Sequence, residues 1–196
     1  MNFFYRIIYF IGKPFFRLLF PFRVRGAEGI PAGGAVLCAN HVSAVDPLMV
    51  AAALPRRACP RFMGKAELFE KPFAAWFLRK AGVFPVQRGR ADLSAMKTAL
   101  KCLQSGEKLV IFPEGTRVEE AGDASAKTGA VMLASRTGVP IVPVYCGEKR
   151  KFLRRTTIVF GTPYQPQFAG RRPTAEEQRR CAEELLEKIY RLKEAM

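Results

Sequence analysis

The chain holds one histidine, His41, and an acid follows it five positions later in the run Asn40-His41-Val42-Ser43-Ala44-Val45-Asp46-Pro47. An imidazole takes up and releases a proton near neutral pH, and a carboxylate on one ring nitrogen fixes the tautomer and supports the protonated form. The alternative is a histidine that only satisfies its own loop, and the spacing by itself favours that alternative. Three further polar segments keep the first reading open. Phe112-Pro113-Glu114-Gly115-Thr116-Arg117 follows the apolar run 108–111, Phe84-Pro85-Val86-Gln87-Arg88-Gly89-Arg90 closes another, and Val139-Pro140-Ile141-Val142-Pro143-Val144-Tyr145 is itself strand-like. An arginine offers a planar fork suited to phosphate, and Gly115 lets backbone approach a ligand closely. The two prolines of the third segment point to an edge strand or a strand start. Taken singly, each segment is also compatible with a turn carrying solvated charges.

Elements able to hold these groups are legible around them. Strands are expected at 35–39, 61–63, 83–86, 108–112, 141–145 and 156–160, with helices between them. Residues 47–53 form a helix with Asp46 as its N-cap and Pro47 in its first turn. Residues 72–81 form a second and 93–103 a third, with Leu93, Met96, Leu100 and Leu103 on one face. A short fourth covers 129–136. The last helix starts at Thr174, with Glu177 three residues on as a capping box, and carries the stripe Cys181, Leu185, Ile189 and Leu192. The polar run 118–127 reads as a mobile loop. Strands alternating with helices imply an α/β fold, a single domain with a largely parallel central sheet flanked by helices. In such sheets ligands bind beyond the carboxyl ends of the strands, where the polar segments lie.

The chain has 196 residues, enough for one domain with a sizeable core, and a formal net charge of +15. That surplus attracts anions, whether nucleic acid, lipid headgroups or phosphorylated substrates. The cysteines at 38, 59, 102, 146 and 181 form no closely spaced pair and read as free thiols. With one histidine and no cysteine cluster, no metal site is expected. Residues 3–22 are aromatic and apolar but interrupted by Arg6, Lys13 and Arg17, which suits neither a spanning helix nor a signal peptide. At about 100° per residue those three cations share one narrow helical face. The expectation is two short helices meeting at Gly12-Lys13-Pro14, lying in a membrane interface with the apolar side down and the cations toward phosphates. A helix packed on the protein's own core is the alternative. The domain reading is therefore residues 1–25 as an N-terminal two-helix membrane-docking segment and residues 26–196 as the α/β domain.

Four blocks in order resemble the glycerophospholipid acyltransferase family, most closely its bacterial 1-acyl-sn-glycerol-3-phosphate acyltransferases. They are Asn40-His41-x4-Asp46; Lys65-x-Glu67-Leu68 leading to Phe84-x-x-x-Arg88; Phe112-Pro113-Glu114-Gly115-Thr116-Arg117; and Val139-Pro140-Ile141-Val142-Pro143-Val144. The pattern departs after Arg117, where Glu119, Glu120 and Asp123 replace a basic, serine-containing stretch and Ala126 stands where a phenylalanine is usual before Lys127.

The resemblance implies acyl transfer from a thioester, acyl-coenzyme A or acyl-carrier protein, to the sn-2 hydroxyl of lysophosphatidic acid. No cofactor or metal is implied. His41 would be the base and Asp46 its orienting partner. Lys65, Arg88 and Arg117 would bind the acceptor phosphate, with Gly115 and Thr116 in the same turn. Glu114 would orient Arg117 or hydrogen-bond the acceptor's glycerol. The implied partners are a membrane lipid, an anionic bilayer surface and an acyl carrier protein, with no nucleic acid. The implied location is the cytoplasmic face of the cell membrane, peripheral or monotopic. Another lysolipid or glycerol phosphate is the alternative acceptor. A nucleic-acid-binding protein and a phosphoester hydrolase are alternatives of other classes, but the aromatics do not alternate with cations on a strand as stacking platforms would.

Overall fold

The computed structural model describes residues 7–58, 60–87, 89, 92–115, 126–147, 153, 155–170 and 173–196. Seven strands form one sheet: β1 Phe22–Arg25, β2 Ala35–Ala39, β3 Pro60–Lys65, β4 Val83–Val86, β5 Lys108–Ile111, β6 Ile141–Cys146 and β7 Thr156–Phe160. Their order across the sheet is β1-β7-β6-β2-β5-β3-β4. Every neighbouring pair is parallel except β6 with β7. β2 lies between β6 and β5, and all five of its residues are buried. A strand covered on both faces reads as an unbroken apolar run, which is why Ala35-Val36-Leu37-Cys38-Ala39 shows no alternation.

The helices are α1 Lys13–Leu19, α2 Asp46–Ala53, α3 Pro72–Lys80, α4 Leu93–Gln104, α5 Gly129–Thr137 and α6 Ala175–Arg191. Side chains alternate across a strand, so β2 feeds two cores. Leu37 and Ala39 pack with Met49 and Val50 of α2. Val36 and Cys38 pack on the other face with Leu103 of α4, Val131 of α5, and Cys181, Leu185 and Ile189 of α6. The capping box at Thr174 and Glu177 is formed, each side chain accepting the other residue's amide. Cys38, Cys102, Cys146 and Cys181 are free and buried, while Cys59 lies outside the described residues.

Three details differ from the expectations. Residues 22–25, grouped with the N-terminal segment, form β1 and pair with β7, so the sheet begins inside the segment assigned to docking. β6 is an interior strand despite Pro143. Its ladder to β7 runs over Val144–Cys146, the Ile141 amide donates to the Tyr164 carbonyl, and between them the Pro143 carbonyl accepts the Gly161 amide at 2.8 Å. Asp46 is the first residue of α2 and not its N-cap; that place belongs to Val45, which offers no side-chain cap.

The two N-terminal helical pieces meet where Gly12 and Lys13 join, as a π-helical turn Ile8–Gly12 and α1. Gly12 itself is helical, at φ −65° and ψ −42°, so one piece runs into the next. Of the three cations, Lys13 and Arg17 bond back to the chain, Arg17 while still exposed, and Arg6 lies outside the described residues. Lys13 donates to the carbonyl of Leu54 at 3.0 Å and Arg17 to that of Phe22 at 3.2 Å. Phe10, Ile11, Phe15 and Leu18 are the exposed side. No helix among the described residues is long and apolar enough to cross a membrane.

Candidate active site

The parallel strands β2, β3, β4, β5 and β6 end at one edge of the sheet. Where β2 ends, Asn40 is fully buried and its side chain continues the ladder that the backbone abandons. Its Oδ1 accepts from the Cys146 amide at 2.7 Å and its Nδ2 donates to the Cys146 carbonyl at 3.1 Å. The last paired residues of β2 and β6 are Ala39 and Val144, so this amide carries the strand pairing up to the histidine.

His41 follows, held by three neighbours. Its Nδ1 lies 3.1 Å from Asp46 Oδ2, and its ring stacks on Phe112 with centroids 4.3 Å apart. Its backbone amide donates to Glu114 Oε2 at 2.7 Å. The Asp46 carboxylate is wholly buried, and the same Oδ2 accepts the amides of Val42 at 2.9 Å and Ser43 at 2.8 Å. Asp46 thus binds the turn between itself and the histidine, and the five-residue spacing closes a compact loop. The histidine side chain keeps 13% of its surface accessible, so a substrate can still reach it.

The second turn comes from β5. Gly115 has φ +73°, a conformation that L side chains adopt with strain. A Cβ there would also meet the Lys127 stem at 3.3 Å. The Lys127 amide donates to the Pro113 carbonyl at 2.8 Å, so Lys127 borders this turn although its surroundings in sequence depart from the family pattern. Glu114 is buried, and its two oxygens are engaged by the His41 amide and the Tyr190 hydroxyl of α6. Neither bond was assigned from sequence, and Arg117, the partner expected for Glu114, lies outside the described residues. Burial pushes its carboxyl above the usual glutamate range, and the two donors pull it part of the way back.

Of the residues singled out from sequence, His41, Asp46, Glu114 and Gly115 come together. Lys65 closes β3, two strands from β2, about 10 Å away across the sheet at ~4.8 Å per strand. It is half-exposed and pairs with Glu67 at 3.0 Å. Arg88, Thr116 and Arg117 lie outside the described residues, as does 118–125 of the expected loop. Asn40, Phe112 and Tyr190 had no assigned role. The first two sat inside the quoted blocks, and Tyr190 lies one position off the apolar stripe of α6.

With Nδ1–H donated to Asp46, the lone pair of His41 is on Nε2, and the imidazolium formed on protonation faces a buried carboxylate. Among the described residues no serine, threonine or cysteine side chain bonds the ring. The geometry defines an α/β enzyme whose histidine can act directly on a hydroxyl that the substrate brings.

The comparisons with known proteins agree with that class. The Acyltransferase family model matches residues 21–147, and the chain belongs to this family. It is 34% identical over 177 residues to the 1-acyl-sn-glycerol-3-phosphate acyltransferase of Bacillus subtilis, covering 87% of each chain. It is 32% identical to the lyso-ornithine lipid O-acyltransferase of Pseudomonas aeruginosa over 66% of this chain and 49% of that one. The crystal structure of the 1-acyl-sn-glycerophosphate acyltransferase from Thermotoga maritima superposes with a TM-score of 0.73 at 27% identity, covering 96% of this chain and 79% of that one. The family match ends at Gly147, so Tyr190 falls beyond it.

Proposed function

We propose that this acyltransferase moves an acyl chain from a thioester donor, acyl-coenzyme A or acyl-carrier protein, to the sn-2 hydroxyl of lysophosphatidic acid, giving phosphatidic acid. The observation that carries the reading is the 3.1 Å contact between His41 Nδ1 and buried Asp46 at the end of the central strand. The acceptor is taken from the Bacillus relative, whose name states it. In the reaction, His41 Nε2 takes the hydroxyl proton as that oxygen attacks the thioester carbonyl. Asp46 stabilises the imidazolium. Collapse of the tetrahedral intermediate breaks the carbon–sulfur bond, and the imidazolium returns its proton to the departing thiolate. The substrate supplies the nucleophile, so no acyl-enzyme is required. Arg117, Arg88 and Lys65 are the proposed phosphate ligands; positioning of this kind supplies several kcal/mol of a bimolecular barrier.

The same reading places the protein on the cytoplasmic face of the membrane, peripherally bound, because acceptor and product are bilayer lipids. The exposed side chains of Phe10, Ile11, Phe15 and Leu18 support N-terminal docking. Lys13 and Arg17 bond carbonyls of the chain, and Arg17 stays exposed beside that face. The name of the Pseudomonas relative keeps a second acceptor, lyso-ornithine lipid, in view. One assay tests the proposal: the purified chain is given a thioester donor with lysophosphatidic acid or lyso-ornithine lipid, and free thiol and lipid product are measured. Phosphatidic acid formed in the first arm and lost in His41→Ala supports it. Product only in the second arm, or an active His41→Ala, rejects it.

A further inference from the structure

Helix α3 is built with its apolar weight on the wrong side for a core element. None of its nine residues is buried. At about 100° per residue, Ala74, Ala75 and Leu78 share the half-buried side, and Phe73, Trp76 and Phe77 share the opposite one. Phe73 is 77% exposed, Trp76 50% and Phe77 44%, and Leu68 on the preceding turn Ala66–Phe69 is 54% exposed. The rings of Phe73 and Trp76 stack at 6.1 Å, so the face is one cluster.

Cations surround the cluster. Lys71, Arg79 and Lys80 are exposed, and the helix itself carries no acid. Arg79 lies over the ring of Phe69, 5.5 Å from its centroid. The acids nearby are Glu70 and Glu67, the latter already paired with Lys65.

We propose that α3 is a second membrane contact, separate from the N-terminal helix, with its aromatic face in the headgroup region of an anionic bilayer and Lys71, Arg79 and Lys80 on lipid phosphates. Indole and phenyl rings favour that depth, and adjacent Lys and Arg residues each add about 1 kcal/mol at an anionic surface. A second copy of the chain fits poorly. The four side chains expose on the order of 400–500 Å², taking ~200 Å² for a whole aromatic side chain. A stable interface needs about 800 Å² per partner, and two copies would also oppose their cations. The turn bearing Leu68 leaves the same sheet edge as His41. A bilayer held there keeps that edge beside the lipid pool, an inference that rests on the proposed lysolipid acceptor.

Trp76 is the only tryptophan in the sequence, so fluorescence of the full-length chain reports this face alone. Adding phosphatidylglycerol vesicles is expected to shift Trp76 emission to the blue and make it quenchable by lipids brominated high on the acyl chain. The double substitution Phe73→Ser/Phe77→Ser is expected to abolish the shift and weaken vesicle binding by at least about tenfold. Its thermal unfolding and its turnover of detergent-dispersed acceptor should be unchanged, because both side chains are exposed. A chain that sediments with vesicles while Trp76 stays in water overturns the proposal and leaves N-terminal docking standing. A chain that does not bind vesicles overturns both membrane contacts while leaving the acyl-transfer reading intact. A blue shift that follows protein concentration without lipid assigns the face to a second copy. One produced by acyl-carrier protein alone assigns it to that carrier. Either also overturns the proposal.

Discussion

Two turns meet at His41, and each brings one buried carboxylate. The turn 40–46 places Asp46 on the imidazole; the turn 112–115 places Glu114 on the main-chain amide of the same residue. Asp46 Oδ2 gathers the ring nitrogen of His41 and the amides of Val42 and Ser43, all from within its own turn. Glu114 divides its two oxygens between the distant elements β2 and α6. One carboxylate therefore addresses the proton chemistry of the ring, and the other addresses where the ring stands. The contrast shows how one histidine can have its ring and its main chain held by separate parts of a chain.

Removing the ring or its partner should break the comparison most severely. His41→Ala is expected to abolish turnover. Asp46→Asn should lower kcat by about 10²–10⁴-fold, because an amide can neither select the donating Nδ1 tautomer as firmly nor stabilise an imidazolium. Steady-state kinetics with lysophosphatidic acid check both. An Asp46→Asn enzyme within a few-fold of wild type would mean that the pair is structural.

Asn40 is expected to show the largest effect on stability. Asn40→Ala strips partners from the buried amide and carbonyl of Cys146. Losing these two buried bonds should destabilise the protein by about 2–4 kcal/mol, measurable as a shifted midpoint in denaturant.

Glu114 should give a pH signature of its own. Its carboxyl is raised by burial, with Tyr190 and His41 as the donors facing it and Asp46 as the neighbouring charge. The folded state then holds a proton on Glu114 over a window in which the unfolded chain has already released it. The stability from that group is fully present below the ordinary glutamate value and is lost as pH rises through the folded value. Denaturant titrations of wild type and Glu114→Gln across that range should show a falling difference with rising pH. A difference that stays flat would reject the assignment.

The turn around Asp46 could be read from residues 40–47 because its contacts are local, and β2 from an apolar run too long to alternate. Glu114 was visible as a motif residue, but its bond to His41 joins positions 73 apart, which only the adjacency of β5 and β2 creates. Tyr190 reaches Glu114 across 76 positions from a helix whose sequence advertises only its apolar stripe. β1 was hidden for another reason: Phe22-Arg23-Val24-Arg25 continues the aromatic and cationic composition of the helix before it. Pro143 misled because the rule against proline in a sheet concerns the amide it lacks. Here the Pro143 carbonyl still accepts the Gly161 amide, so the strand stays paired without that donor.

The mildest pair of changes separates position from stability on a single helix. Tyr190→Phe removes one hydrogen bond to Glu114, and Thr174→Ala removes the cap at the other end of α6. Each should destabilise the protein by about 1–2 kcal/mol. Only Tyr190→Phe should also lower kcat, by about tenfold for ~1.4 kcal/mol lost in the transition state, because Glu114 then holds the His41 amide less firmly. Thr174→Ala should leave kcat unchanged at temperatures where the chain is folded. Equal kcat in the two variants would make α6 a brace for the core and nothing more. A drop confined to Tyr190→Phe would extend the site to a residue beyond the span shared with the family.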